Sequence, residues 1–366
     1  MTASPGPPMP LPLPPVLPPA GPGAGSPRRP GRPPGAADLL AQGLLARTDA
    51  IAAVTEHDGP DGRTIRARVA GGLDLEVLPD RGFDIGRVTV GGWPLSWVSP
   101  VADHRALDVP AGDAWLDRFV GGLLVTCGPE NIGPATGRAG LHGSHHHRPG
   151  RLLERCAGVR DGVPFARMAG TIEYAAVFGP SARVERVIES SVDSDGAAVL
   201  RVVDDLSNDG PGAFPAALLY HLNLGAPVLL PGTTIRWPGT RRVEREPCPA
   251  VPDPSTMPGP TDEITESVVA HHDPLVDPDG LVRVLVTAPD GPSVELAWSA
   301  DTLPYAYQWT LPTRRRWALG IEPASAPLFG PDRSRPGAGA PLVPVGGVRR
   351  HELRITVSAP GRPGWW

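Results

Sequence analysis

The sequence contains no lysine: all 34 basic residues are arginine. Asparagine and glutamine are scarce too, while glycine (45) and proline (49) abound. That pattern reads as coding bias toward GC-rich codons, so the proline and glycine content weighs less as a disorder signal. Three cysteines, Cys127, Cys156 and Cys248, form an odd and scattered set. They show no metal-ligand spacing and no disulfide framework. A reducing cytoplasm is the expected compartment. No apolar run approaches the ~20 residues of a membrane helix. The N-terminal Leu/Pro stretch is broken by prolines and follows no charged segment, so neither a membrane span nor a signal peptide is expected. Against 34 basic residues stand 39 acidic ones, a net charge of −5. The basic stripe of a nucleic-acid binder is absent. No long helical pattern alternates with strands, which argues against a parallel α/β fold. No repeat of fixed period is visible.

What is present is short strands. Residues 1–36 hold 14 of the 49 prolines and are expected to be a disordered or polyproline-like tail, or an over-extended start. "AADLLAQGLLAR" then has helical spacing. From there the apolar period switches to two: "TIRARVA" (64–70), "LDLEVL" (73–78), "RVTV" (87–90), "ARVERVIES" (182–190), "VLRVVDD" (199–205), "LVRVLVT" (281–287), "VELAW" (294–298), "WALGIE" (317–322) and "HELRITV" (351–357). Many short strands separated by Gly, Pro and Asp turns predict an all-β antiparallel domain over 37–358. A flexible tail is expected over 359–366. Segments 240–262 and 330–347, rich in Pro and Gly, read as long surface loops.

Polar residues interrupt this pattern at four places. In "YHLNLG" (220–225), His221 and Asn223 share one strand face while Tyr220, Leu222 and Leu224 share the other. That face is either a polar cavity or a core satisfied by nearby carbonyls. In "WALGIEP" (317–323), apolar residues lead to Glu322, and Pro323 is expected to stop the ladder. An imidazole and a carboxylate facing each other can hold opposite protonation states near neutrality and can donate and remove protons together. The glycine-punctuated stretch 121–150 carries His142, His145, His146 and His147. Their spacing matches no common zinc pattern and no acidic residue lies nearby in sequence. No metal is therefore expected. His142 is best placed for a pocket, and the other three read as a solvated loop. In "LPDRGFDIG" (78–86), Arg81 is either a clamp for a hydroxyl or carboxylate, with Asp84 as its partner, or half of a surface ion pair. "YAYQWT" (305–310) adds Trp309, whose face suits a sugar ring.

The motifs "LPDRGFDIG", "GGLLVTCG" with "GLHG", "YHLNLGAPVL" and "ALGIEPAS", in this order, resemble the aldose 1-epimerase (galactose mutarotase-like) superfamily, and most closely its DUF4432 family. The resemblance implies a large antiparallel β-supersandwich carrying a sugar site. It implies that His142, in "LHGS", binds the sugar, that His221 is the general acid and that Glu322 is the general base. Asn223 and Asn131 fall in the corresponding substrate-binding regions, although the family's Asn-Arg pair is missing and His221 and Asn223 stand closer together than in its usual pattern. The implied activity is anomer interconversion of a monosaccharide or sugar derivative without a cofactor. The alternatives are a non-catalytic sugar-binding module and a metal-dependent isomerase or lyase using the 142–147 histidines.

Overall fold

The structure, a computed structural model, describes residues 35–60, 62–101, 109–136 and 139–358. Residues 1–34 of the expected Pro-rich tail and the C-terminal 359–366 lie outside the described residues. The helical signal becomes one short helix, Ala36–Ala41. Apart from short 3-10 turns such as His145–His147, the other described elements are strands joined by turns and loops, and every strand pairing within the sheets is antiparallel.

One sheet runs, in spatial order, β1 (Ala52–Gly59), β2 (Gly62–Val69), β3 (Leu73–Leu78), β4 (Asp84–Val90), β6 (Leu124–Cys127), β12 (Leu219–Leu224), β19 (Ala318–Ala324), β18 (Tyr305–Leu311), β15 (Ser267–His272) and β14 (Arg241–Glu244), with β5 (Trp93–Pro94) against β4. The second runs β13 (Thr234–Arg236), β16 (Leu281–Thr287), β17 (Ser293–Ser299), β21 (Val348–Ser358), β10 (Ala198–Asn208), β9 (Ser181–Val192), β8 (Val163–Ala175) and β7 (Gly150–Arg160). A small ribbon joins β11 (Phe214–Pro215) to β20 (Leu342–Val343).

Period-two patterning explains how the sheets meet. In β3, Leu73, Leu75 and Val77 turn to the interior, and in β16 Val282, Val284 and Val286 do the same. These rows belong to one apolar core between the sheets, the arrangement of a β-sandwich. The first sheet also carries a second apolar cluster on its outer face, built on Val125, Cys127, Leu219, Tyr307 and Ala324 and covered by loop residues such as Trp115, Phe119 and Leu328. Strands β6, β12 and β19 are therefore buried at every position.

Three sequence expectations change. Pro323 does not stop its strand: it lies inside β19, opposite Ala306 of β18. Its missing N–H falls where the ladder toward β12 is already open, between the pairs Leu219–Ala324 and Leu222–Ile321. The segments read as long loops contain β14 and β20. Strand β7 carried no clean alternation because both of its faces are partly exposed, although its partner β8 has one dry face of Ala166, Met168, Ile172 and Tyr174.

Candidate active site

The register of β12 and β19 builds the centre of the site. Leu219 pairs with Ala324 and Leu222 with Ile321, which sets His221 directly across from Glu322 on the outer face. His221 Nε2 lies 3.2 Å from Glu322 Oε1. On the neighbouring strands Val125 flanks His221 and Tyr307 flanks Glu322. The next row holds Asn223, Gly320 and Trp309. Gly320 is the floor that lets the pair meet. A Cβ there would stand 2.8 Å from His221 Cε1 and 3.2 Å from Glu322 Oε1. It also lets the Trp309 indole, two strands from His221, reach over β19 to meet the imidazole edge-on, centroids 5.3 Å apart.

A cavity of about 360 Å³ opens over this pair. That volume is near the lower end for small-molecule sites and suits a ligand of monosaccharide size. Trp115, Phe119, Trp309, Leu328 and Phe329 make apolar walls, and Asp113, His142, Arg245 and Glu266 supply further polar groups.

His142 reaches the cavity through backbone geometry. It adopts a left-handed φ of 57° and is followed by Gly143 at φ 72°, where a Cβ would lie 2.5 Å from the Asn131 carbonyl oxygen. Its ring packs on Trp115 at 4.6 Å, and Nδ1 lies 2.8 Å from the Ile132 carbonyl, so Nδ1 carries the proton and Nε2 keeps a lone pair.

Electrostatics follow from dryness. His221 is 4 % and Glu322 3 % exposed. Burial, then the Glu266 carboxylate, raises the Glu322 pKa to about 8. Burial, then His142, lowers that of His221 to about 3, with the Asn223 amide opposing. Burial lowers that of His142 to about 4 against its bond to the Ile132 carbonyl. Between those limits the His221–Glu322 pair holds one proton, and burial favours the uncharged form, imidazole plus carboxylic acid.

The other expected residues lie elsewhere. Asn223 is fully buried, and its Nδ2 donates to the Gly122 and His221 carbonyls, so it braces strand β12. Asn131 is a hub of the histidine loop: Nδ2 donates to the carbonyls of Gly133, Pro134 and Gly140, and Oδ1 accepts from Arg333. Arg81 is wholly buried rather than a surface ion pair or a cavity clamp, 3.1 Å from His147 Nδ1.

The three further histidines are also buried, which corrects the reading of a solvated loop. An acidic partner is present after all: Asp84, distant in sequence, accepts from His146 Nδ1 at 2.8 Å. His145 spends both ring nitrogens, on the Gly82 carbonyl and the Tyr174 hydroxyl. These hydrogen bonds leave His145 no lone pair for a metal. Asp84 also accepts from Thr126 and from Arg186, whose guanidinium is bidentate to Asp204, and Asp204 accepts from Tyr220. This buried network lies behind the strands that bear the site. Arg245, Asp113, Glu266 and Gly320 escaped the sequence reading as site residues. Only Gly320 had a legible signal, two places before Glu322 in "ALGIEP" and hence on its face.

Comparison with known proteins agrees with this architecture. The profile of the family described as "Domain of unknown function (DUF4432)" matches residues 61–357. No curated protein matches the sequence. Among solved structures, a candidate aldose 1-epimerase from Klebsiella pneumoniae superposes with a TM-score of 0.71 at 20% identity, covering 84% of this chain and 83% of that one. A galactose mutarotase-like protein from Clostridium acetobutylicum gives 0.58 at 13% identity over 85% of this chain and 99% of that one. The Slr1438 protein from Synechocystis gives 0.56 at 17% identity over 78% and 92%. At these identities the likeness establishes a galactose mutarotase-like fold.

Proposed function

Since the chain belongs to the DUF4432 family, we propose from its site geometry that it interconverts the anomers of an aldose or related sugar by acid–base ring opening and closure. The observation that supports this reading is the contact of His221 and Glu322 at 3.2 Å beneath a cavity of about 360 Å³. In a cyclic hemiacetal the anomeric hydroxyl and the ring oxygen share one carbon, so the two proton-transfer groups must be neighbours, as these are.

Chemistry starts from the uncharged pair. His221 Nε2 takes the anomeric hydroxyl proton while the Glu322 carboxyl protonates the ring oxygen. The bond from C1 to the ring oxygen breaks and C1 becomes a carbonyl. The imidazolium–carboxylate pair exists only while the chain is open. Rotation about C1–C2 and return of both protons close the other anomer. Burial favours the proton on the carboxyl, so this step runs with acid and base exchanged relative to the family resemblance; the 3.2 Å contact itself serves either assignment. His142 Nε2, with its lone pair, accepts from a sugar hydroxyl; a ring oxygen, an acceptor only, cannot pair with it. Trp309, Trp115 and Phe119 offer apolar faces to the sugar C–H groups and exclude water.

The test is Glu322→Gln. Catalysed anomer exchange, followed by polarimetry or NMR over a panel of aldoses, is expected to fall by about 10²–10⁴-fold, with the β circular-dichroism spectrum retained. Undiminished exchange removes Glu322 from the reaction. Sugar-dependent stabilisation of the unaltered protein without exchange makes it a binding module instead.

A further inference from the structure

Glu266 is the titratable group whose geometry asks for a role beyond lining the cavity. It stands just before β15 and points over the outer face, with its Oε2 accepting from Trp309 Nε1 at 2.8 Å. Trp309 is opposite Val268 of β15 on one side and Gly320 of β19 on the other. Its ring is held from several directions: edge-on to His221 at 5.3 Å, edge-on to Trp97 at 5.7 Å, and tilted on Phe119 at 6.3 Å. An indole can turn about its side-chain bonds only by moving its N–H, and Glu266 fixes that N–H. The carboxylate thus fixes the wall that keeps His221 dry. Its negative charge also opposes the ionisation of Glu322.

We propose that Glu266 is a positioning residue of the candidate acid–base pair, acting through the Trp309 indole and through its own negative charge rather than by touching the reacting atoms. The inference rests on the acid–base reading above for its kinetic consequences, but its physical content stands apart from turnover. The groups facing Glu322 are His221 from β12, Tyr307 from β18, Cys127 from β6, His142 from its loop, and Glu266, with Arg245 and Asp113 at the cavity's lip. After burial itself, Glu266 is the group that raises the proton affinity of Glu322. Holding the proton on the carboxyl is the starting state that the uncharged pair requires.

Two variants separate the two routes. Glu266→Gln keeps an acceptor for the indole N–H and removes the charge; Glu266→Ala removes both. Glu266 is exposed, so neither change disturbs the core. The first readout is the infrared carbonyl band of protonated Glu322, titrated with pH and identified by its loss in Glu322→Gln. In Glu266→Gln its midpoint is expected to fall from near 8 by on the order of half a unit, the effect of one charge across a partly solvated cavity. The second is the indole ¹H–¹⁵N signal of Trp309, assigned with Trp309→Phe, which is expected to stay in place in Glu266→Gln and to shift in Glu266→Ala. Unchanged midpoints and an unmoved indole signal in both variants overturn the proposal. So does a rise in KM with an unshifted titration, which makes Glu266 a sugar contact. Absence of anomer exchange in the unaltered protein refutes the proposed function, while the infrared and indole readouts still decide the role of Glu266.

Discussion

Substituting Gly320 by alanine tests the packing of the site with a single methyl group. The glycine does not have a left-handed backbone, so alanine meets no conformational penalty there. It is expected to gain about 0.4–1 kcal/mol from a less flexible unfolded chain. Against this stands a Cβ 2.8 Å from His221 Cε1, where ordinary contact begins at 3.4 Å. The imidazole must retreat by about 0.6 Å, the difference of those distances. It has little room, with Phe119 at 5.4 Å and Trp309 at 5.3 Å between ring centroids. Overpacking of this kind costs about 1–3 kcal/mol. The net expectation is a loss of up to about 2.6 kcal/mol. The functional loss should be larger, because misplacing a reacting group by about 1 Å can cost about 10²-fold. Urea unfolding gives the first number and anomer exchange the second. Alanine with wild-type stability and wild-type exchange would mean that His221 and Glu322 do not meet over Gly320, and the proposed chemistry would lose its geometry.

Two further perturbations address the scaffold. Seven histidines have lowered pKa values, six of them buried and His142 half-buried, among them His142, His145 and His351 at about 4 and His221 and His271 at about 3. Their stabilising contribution is complete above the unfolded value of about 6.5 and is lost as pH falls toward the folded values, each costing about 1.4 kcal/mol per pH unit. Glu322 acts in the opposite sense, its contribution being lost as pH rises from 4.5 to about 8. Several histidines outweigh one carboxyl, so circular dichroism should show unfolding with a midpoint between about pH 4 and 6; a native spectrum at pH 3.5 would contradict the neutral burial. Arg186→Met strands the Asp84 and Asp204 carboxylates in the interior and should destabilise by about 3–5 kcal/mol in urea, whereas Arg201→Ala, which loses an exposed pair with Glu352, should cost below about 1 kcal/mol. Equal effects would show that the inner network is not desolvated.

The sequence exposed those parts of the molecule whose physics is local. Period two located β3, β16 and β21 because each has one dry face. It failed at β7, where water reaches both sides. In "YHLNL" the same period put His221 and Asn223 on one face, but it could not say that Asn223 would bind backbone carbonyls beneath the cavity. The histidine run shows the limit most clearly. Judged by neighbours in sequence it is a polar loop without an acid. Folded, it meets Asp84 across a separation of 62 residues and becomes part of the interior. Arg81 moves from rim to core for the same reason. Charge on such residues is decided by partners that only the fold supplies. The reverse holds for Glu322, whose special property is its dryness: burial, then the Glu266 carboxylate, sets its proton affinity. A motif can nominate a carboxylate; its resting proton depends on every charge kept away from it. The 3.2 Å contact of His221 and Glu322 would serve with either group as the acid, and the charges of the folded site rather than the motif decide between them.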